Sequence, residues 1–594
     1  MHDCNKKLTK INNMKNANNR HIVLFSVILG TMFGLISCCS ENKTNANSES
    51  APPAQIEKSE AVFDYFNYSG TDDYYINNPL TEPDQFYNPI LPGWYSDPSI
   101  CSNGEDYFLV TSTFVYYPGV PIFHSKDLVN WKQIGHVLDR PSQLINFEDQ
   151  RTSRGIFAPA ISYNPHNETY YMITTNVNAG NFFVKTKDPF GSWSEPVYLK
   201  EVGGIDPSFF FDDDGKAYIV NNDAPIGEPL YDGHRAIWVH EFDVNAEKVV
   251  GKSKLIINGG VDITKKPVWI EGPHIYKVDG RYLLTAAEGG TSVNHSQVVF
   301  SADAPMGTYT PWDKNPILTQ RHLSPDREYP ITCVGHADII QDKSGDWWAV
   351  FLGCRPVDGN FENLGRETFI MPVQWSEDGF PYMTRGDELV PMILQKKGFV
   401  RNDDFVTGNF EKNDDFSSEN LDMEWIGLRA PFAGLYSLTK NPGFLSLPCI
   451  DVASYEMKTP AYIGRRLQHH SFECETKMYF DPADENDAAG MLIYKDEKHQ
   501  YFLSVRKSED ARKVCVEKIG ESGAEIMVEQ AIESAKPVYL KVVSTGLTFD
   551  FYYAVGERTT DWQLISKDVD AYYLSTANAG GFTGTTIGVY ATKK

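Results

Sequence analysis

An imperfect repeat of polar and apolar stretches runs from about residue 86 to residue 375. Each copy has a polar residue beside Pro or small residues, then an apolar run, a Gly/Asp turn and an aromatic-rich strand. The copies begin 48 to 65 residues apart, at Asp97, Ala158, Asp206, Glu271 and His336. Asp-Gly between apolar runs favours a hairpin, because both residues tolerate positive φ. All-strand repeats of this length are typical of propeller blades, so we predict an all-β fold that begins with a five-bladed β-propeller over residues 86–400.

The first strand of each blade faces the central axis of a propeller. Equivalent residues of the repeats should therefore meet at one funnel, which would bring together Asp97, Asp206, Glu271 and His336. Three carboxylates and an imidazole at one mouth are costly unless they do chemistry. The repeat thus predicts a catalytic site on the propeller axis.

The apolar pattern changes after about residue 400. Short strands with alternating side chains and turn signals follow one another, with no helical periodicity. The strand candidates are residues 472–478, 489–494, 500–505, 538–543, 549–553 and 586–590. This pattern predicts a second domain over residues 401–594, a β-sandwich of the concanavalin-like jelly-roll type.

Residues 1–37 have the pattern of a lipoprotein signal peptide. Basic residues precede an apolar run, residues 22–36, which is too short for a comfortable transmembrane helix. The run ends at Ser37 and Cys38, as in a lipobox whose Cys receives lipid. An ordinary signal peptide with an incidental Cys38 is the alternative. A lipid anchor would attach the protein to a membrane of the bacterial cell envelope, facing the periplasm or the cell surface.

Residues 38–85 form the predicted connection between the anchor and the propeller. The stretch up to residue 62 is rich in Ser, Asn, Glu, Ala and Pro and is expected to be a flexible tether. Residues 63–85 carry many aromatic side chains, too many for a simple linker. We expect them to pack on the domain that follows.

Charge and cysteine content narrow the function. Lys plus Arg is 54 and Asp plus Glu is 79, so the formal charge is 54 − 79 = −25. This balance argues against a nucleic-acid partner, which requires basic stripes.

The six Cys from Cys101 onward have no paired spacing and are expected to be buried free thiols. Asp212-Asp-Asp-Gly lacks the spacing of a Ca²⁺ loop and indicates a hairpin turn instead.

Paired carboxylates across a cleft suit glycoside hydrolysis. One is protonated and donates to the leaving oxygen, while the other is ionised and activates water. A third carboxylate nearby raises the pKa of the acid by like-charge repulsion. No nucleophile elbow, Walker A loop or HExxH motif is present, and no cofactor is required by the sequence.

Six motifs resemble glycoside hydrolase family 43, in order and spacing. They are Tyr95-Ser-Asp-Pro-Ser-Ile, the stretch from Tyr117 to Trp131, Gly204-Ile-Asp-Pro-Ser, Glu271-Gly-Pro-His, Gly335-His-Ala-Asp and Leu364-Gly-Arg-Glu-Thr-Phe. The likeness runs from about residue 86 to residue 594. Ala461-Tyr-Ile-Gly-Arg-Arg and Gly581-Phe-Thr-Gly resemble the sandwich of the β-xylosidase branch.

The resemblance implies an inverting hydrolase with Asp97 as general base and Glu271 as general acid. Asp206 would raise the pKa of Glu271 and orient it. Arg366 would hold sugar hydroxyls, although a structural ion pair is the alternative. His336 would position Asp97 or Arg366, bind a central cation such as a structural Ca²⁺, or serve as a hydrogen-bonded structural histidine.

Three aromatic residues are candidate walls of the sugar pocket. The resemblance places Phe114 and Phe582 there, although packing alone would also explain both rings. Phe157 stands where the family commonly has Trp, and this smaller ring could reshape the sugar platform.

Three functions follow from these observations. An exo-acting β-xylosidase would release terminal β-D-xylose from xylan- or arabinoxylan-derived oligosaccharides. An α-L-arabinofuranosidase would remove arabinose side chains, and one pocket could accept both sugars because their hydroxyl geometries are similar. A non-catalytic glycan-binding lipoprotein is disfavoured, because all three acids are retained.

Overall fold

The computed structural model describes residues 52–54, 56–402, 404–429, 434–508, 511–533, 536–557 and 561–594. The predicted signal peptide, Cys38 and most of the tether lie outside these residues. Strands dominate the described chain, as predicted. The short helical segments are Asp73–Asn77, Pro141–Gln143, Ile263–Lys265, Tyr572–Leu574 and Thr576–Ala579. A search of the described ranges found no helix long and apolar enough to span a membrane.

Five antiparallel sheets follow one another along residues 99–372, each beginning within four residues of a predicted repeat start. The first comprises Ser99–Ser102, Tyr107–Val110, Gly119–Ser125 and Lys132–Leu138. The second comprises Ala160–Asn164, Thr169–Asn176, Gly180–Thr186 and Val197–Tyr198. The third comprises Ile205–Phe211, Ala217–Asp223, Ala236–Asp243 and Lys248–Asn258. The fourth comprises Glu271–Val278, Arg281–Glu288, Ser296–Ala302, Thr310–Pro311 and Leu318–Thr319. The fifth comprises Thr332–Gln341, Trp347–Cys354 and Glu367–Pro372.

The first strands of these sheets contact one another in chain order. The first strand of the fifth sheet, Thr332–Gln341, in turn contacts the first strand of the first sheet, Ser99–Ser102. This propeller-type arrangement places the starts of all five sheets around a shared centre. Short pairings complete this part of the chain: Gln85–Tyr87 with Ile393–Gln395, and Gln374–Trp375 with Pro381–Tyr382.

Two large sheets form the predicted C-terminal β-sandwich. One contains, in spatial order, Glu411–Asp414, Glu60–Gly70, Ser471–Phe480, Val538–Thr545, Thr548–Val555 and Gln563–Asp570, with Leu445–Pro448 also paired to Glu60–Gly70. The other contains Ala461–Arg466, Thr586–Thr592, Ala488–Asp496, His499–Ser508, Ala511–Gly520 and Gly523–Ile532. All six strand candidates from the sequence lie in these two sheets. The facing apolar side chains share one buried cluster.

The N-terminal aromatic segment differs from its prediction. Strand Glu60–Gly70 pairs with Ser471–Phe480 and therefore belongs to the sandwich, not to a tether or to the propeller surface. Its inward rings, such as Phe63 and Phe66, are fully buried. The expected packing on the propeller is found farther along this segment, where Tyr75 lies in a buried cluster with propeller side chains.

A buried seam joins the propeller-type domain to the sandwich. Strand Tyr116–Tyr117 pairs with Gly427–Leu428, so backbone hydrogen bonds cross the seam. Arg466 donates from Nε to the Trp94 carbonyl at 3.0 Å, and its guanidinium lies 4.1 Å from the Trp94 ring centroid. Trp94 is completely buried. These contacts fix the sandwich loops that reach the propeller mouth.

Candidate active site

A cavity of about 350 Å³ lies where the repeat starts converge. The residues that line it are Asp97, Phe114, Phe157, Ala158, Ile205, Asp206, Trp269, Glu271, Gly290, Thr291, His336, Arg366 and Phe582. This set includes the three predicted catalytic acids and all five predicted substrate-binding residues. The cavity size is typical of a small-ligand site.

Asp97 is buried and held by two donors. Ser112 Oγ donates to Asp97 Oδ2 at 2.6 Å, and Arg366 Nη1 donates to Oδ1 at 3.0 Å. Burial would raise the pKa of Asp97, but the Arg366 charge and the Ser112 hydrogen bond outweigh it and hold the pKa below its usual range. Asp97 is therefore ionised at neutral pH and can accept a proton.

Glu271 has the opposite electrostatic environment. Burial, followed by the negative charges of Asp206 and Asp97, raises its pKa well above the usual range. Burial and the Asp97 charge also raise the pKa of Asp206 to about 7. The Gly272 amide donates to Asp206 Oδ2 at 3.2 Å, which links Asp206 to the backbone beside Glu271. The protonated form of Glu271 is therefore favoured, and in that form Glu271 can donate a proton.

Unusual backbone conformations aim several of these side chains into the cavity. Asp97, Asp206 and His336 have φ values of 55°, 53° and 50°, in the left-handed region that is costly for residues with a Cβ. The strand pairing is also irregular between Ile205 and Ser208 and again after Glu271. Such irregularities re-aim a side chain out of the sheet.

His336 lies beside Asp97, the predicted general base. Its Nδ1 is 3.8 Å from Asp97 Oδ1. A Cβ at Gly272, where φ is 55°, would lie 2.8 Å from the imidazole, so only glycine allows this close packing next to Glu271. Burial lowers the pKa of His336 to about 4, which leaves the ring neutral at neutral pH.

The described residues offer no direct metal site here. They contain no group of three or more His, Cys, Asp or Glu side chains that could hold a metal ion. A Ca²⁺ near His336 stays a prediction from the sequence, because this ion also takes backbone carbonyls and water as ligands. The thiols from Cys101 onward are free, and all except Cys333 are buried.

Three aromatic rings form one end of the cavity. Phe114 and Phe582 stack at 6.1 Å, and Phe157 meets each of them edge-on at 5.8 and 5.9 Å. Phe582 comes from the sandwich, and its amide is held by Ser153 Oγ at 2.9 Å. The Arg366 guanidinium lies 5.4 Å from the Phe582 ring centroid. These three rings therefore pack against one another and also line the pocket.

The sequence prediction did not assign Ser112, Trp269, Gly290 and Thr291 to the site. Ser112 holds Asp97, while Trp269, Gly290 and Thr291 line the cavity. Trp269 precedes Glu271 by two positions, so its proximity to the acid was a usable signal. No residue-type pattern marked the other three.

Comparisons with known proteins agree with this geometry. The family model for glycosyl hydrolases family 43 matches residues 86–381, and the model for the beta xylosidase C-terminal concanavalin A-like domain matches residues 413–594. A crystal structure of a GH43_12 protein from a capybara gut metagenome is 42% identical, with a TM-score of 0.84. The matched region is 90% of this chain and 100% of the solved chain.

Curated relatives carry glycosidase names. A xylosidase/arabinosidase of Butyrivibrio fibrisolvens is 41% identical over 85% of this chain and 95% of its own length. A non-reducing end alpha-L-arabinofuranosidase of Bacteroides ovatus is 34% identical over 85% of this chain and 91% of its own. With both domains matched and the acids gathered in one cavity, this chain belongs to glycoside hydrolase family 43.

Proposed function

We propose that this protein is an inverting exo-glycosidase that releases terminal β-D-xylose from xylo-oligosaccharides or arabinoxylan fragments. The convergence of Asp97, Asp206 and Glu271 in one closed-ended cavity carries this proposal. Asp97 and Glu271 have pKa shifts in opposite directions, which is how one site supplies a base and an acid at the same pH.

In the proposed reaction, Asp97 removes a proton from a water molecule as that water attacks the anomeric carbon. Glu271 protonates the glycosidic oxygen, the leaving sugar departs with that oxygen, and the released xylose has inverted configuration at its anomeric carbon. In inverting enzymes the two carboxyl groups are about 6.5–9.5 Å apart, which leaves room for the water. Asp206 keeps Glu271 protonated through its negative charge, and Arg366 orients both Asp97 and the sugar.

Removal of end sugars, rather than internal cleavage, is supported by the shape of the cavity. The rings of Phe114, Phe157 and Phe582 pack together in the cavity lining, which supports a pocket for a single end sugar. We also infer that the five sheets are the blades of a five-bladed propeller. The ring of contacts among their first strands supports this arrangement.

The α-L-arabinofuranosidase function is the second candidate. The names of the relatives from Butyrivibrio fibrisolvens and Bacteroides ovatus support it, since both include an arabinose-releasing activity. Relatives named beta-xylosidase, such as that of Bacillus subtilis at 32% identity, support the first candidate. One pocket could serve both sugars.

Hydrolysis of p-nitrophenyl β-D-xylopyranoside beside p-nitrophenyl α-L-arabinofuranoside separates the candidates. Asp97→Asn serves as the inactive control, and Asp279→Asn, in an exposed turn, is the matched variant that should retain activity. Release from the xyloside supports the first proposal, whereas release from the arabinofuranoside alone replaces it with the second. NMR of the first-formed product tests inversion, and retention would exclude the water-base mechanism.

We further propose that Cys38 anchors the protein to a membrane of the cell envelope. The support is the lipobox-like end of the apolar run. Labelling with radioactive palmitate in a bacterial host should mark the wild-type protein and not Cys38→Ala, which should move to the soluble fraction. Equal labelling of both would refute the anchor.

A further inference from the structure

Trp269 is a large aromatic side chain exposed at the cavity. Trp269 lines the site and is 37% exposed, whereas Phe114, which also lines the cavity, is 2% exposed. Its backbone has φ of 49°, in a region where a bulky residue is an outlier. Strain of this kind clusters at ligand-binding positions, because the surroundings must hold it in place.

A small network holds the indole in position. The Trp269 amide donates to the Gly233 carbonyl at 2.9 Å. The Arg235 guanidinium lies 4.9 Å from the ring centroid, close enough for a cation–π contact. Arg235 is itself held by Asn222, whose Oδ1 accepts from Nε at 2.9 Å and from Nη2 at 2.7 Å.

The same network is connected to the proposed general acid. Asn222 is completely buried and donates from Nδ2 to the carbonyl of Ile270, the residue between Trp269 and Glu271. Asn222 therefore holds both Arg235, which contacts the indole, and the backbone just before Glu271. Trp269 and Glu271 are two positions apart, so the indole lies on the acid side of the cavity.

The acid side is where the leaving group must sit, because Glu271 protonates the oxygen that departs with it. Phe114, Phe157 and Phe582 form a separate aromatic group in the cavity lining, and Arg366 contacts both Phe582 and Asp97. Exposed apolar side chains continue outward from Trp269 on adjoining segments: Ile226, Leu230, Val268 and Val293. Val268 is adjacent to both Gly233 and Gly290.

We propose that Trp269, held by Arg235, is the platform on which the leaving sugar ring stacks. The C–H face of a neutral pyranose, such as a xylose unit of a xylan main chain, matches an apolar indole. This inference rests on the proposed function but applies to both candidate activities, because the arabinose side chains of arabinoxylan also depart from a xylose unit. Trp269 thus determines preference for the leaving group and not for the released sugar.

Two kinds of substrate separate this role from a general loss of activity. Xylobiose carries a leaving sugar, whereas β-D-xylosyl fluoride has a leaving group too small to reach the indole. Trp269→Ala should lower kcat/KM for xylobiose about tenfold or more and change that for the fluoride less than about twofold. Trp269→Phe should recover part of the loss. Trp562→Ala, on the sandwich, is the matched control and should behave as wild type.

Each outcome decides a different point. An equal loss on both substrates would overturn the platform, as would an unchanged kcat/KM for xylobiose. If the wild-type protein hydrolyses neither xylose substrate but cleaves an arabinofuranosyl fluoride, the xylosidase proposal fails. The same comparison is then made between that fluoride and an arabinose-substituted xylo-oligosaccharide. Circular dichroism of every variant establishes that the fold is intact.

Discussion

Arg366 donates from Nη1 to Oδ1 of Asp97 at 3.0 Å, while its buried Nε has no hydrogen-bond partner in the described chain. A buried, unpaired N–H of a guanidinium is costly, and Arg366 is retained here at the lining of the cavity, where its guanidinium can meet a sugar. One side chain can thus keep the proposed base ionised and orient the substrate relative to it. This pairing connects the electrostatics of the site to substrate binding.

Glu271→Gln should lose activity in proportion to how much the leaving group needs a proton. On xylobiose the loss should be about 10²–10⁴-fold, the usual contribution of a general acid. On β-D-xylosyl fluoride, whose leaving group needs less protonation, the loss should be far smaller. Steady-state kinetics on both substrates measures the contrast. An equal loss on the two would rule out the role of Glu271 as the acid.

Asp206→Asn should move the alkaline limb of the pH–rate profile to lower pH. The charge of Asp206 contributes to the raised pKa of Glu271, so removing that charge lets Glu271 ionise earlier. We expect kcat/KM to begin falling at a lower pH than in the wild-type protein. Asn preserves an oxygen acceptor for the Gly272 amide, which limits the structural change. A profile that keeps its alkaline limb but is lower at every pH would contradict this role.

The sequence predicted the strands better than their long-range partners. Alternating side chains and Asp-Gly turns indicated the sheets correctly, because these signals are local. The sheet partner of Glu60–Gly70 lies about 400 residues away, at Ser471–Phe480, and no local pattern contains that information. The sequence identified the aromatic residues of this segment but not the sheet that the segment joins.

The site shows the same division between local and long-range information. Asp97, Asp206 and Glu271 were identified because they occupy equivalent positions in the repeats. In a propeller, such positions lie close together around the central axis. Trp269 occurs once and has no equivalent in the repeat, so the pattern gave it no weight. Phe582 reaches the cavity from the sandwich, and it was found through the family resemblance alone.

Asp206→Asn should also stabilise the protein at alkaline pH. A carboxyl whose folded pKa lies above its unfolded value contributes most stability below the unfolded pKa and loses it as pH rises through the folded pKa. For Asp206 this interval runs from 3.8 to about 7. The variant should therefore gain about 2–4 kcal/mol of unfolding free energy at pH 8 relative to wild type, and little at pH 4. Thermal unfolding at both pH values measures this gain, with Asp279→Asn as the control. A Tm difference that is the same at both pH values would argue against a strained, buried carboxylate.

Phe582→Ala should weaken sugar binding more than it slows the chemical step. The ring packs against Phe114 and Phe157 in the cavity lining and lies beside Arg366, so it can contact a bound sugar without taking part in proton transfer. We expect KM for xylobiose to rise about tenfold while kcat falls less, because binding common to ground and transition states is what the ring supplies. Phe190→Ala, in an exposed turn of the second sheet, is the matched control. If kcat alone fell and KM did not change, the sandwich would instead act on the catalytic geometry, through the contact between Phe582 and Arg366.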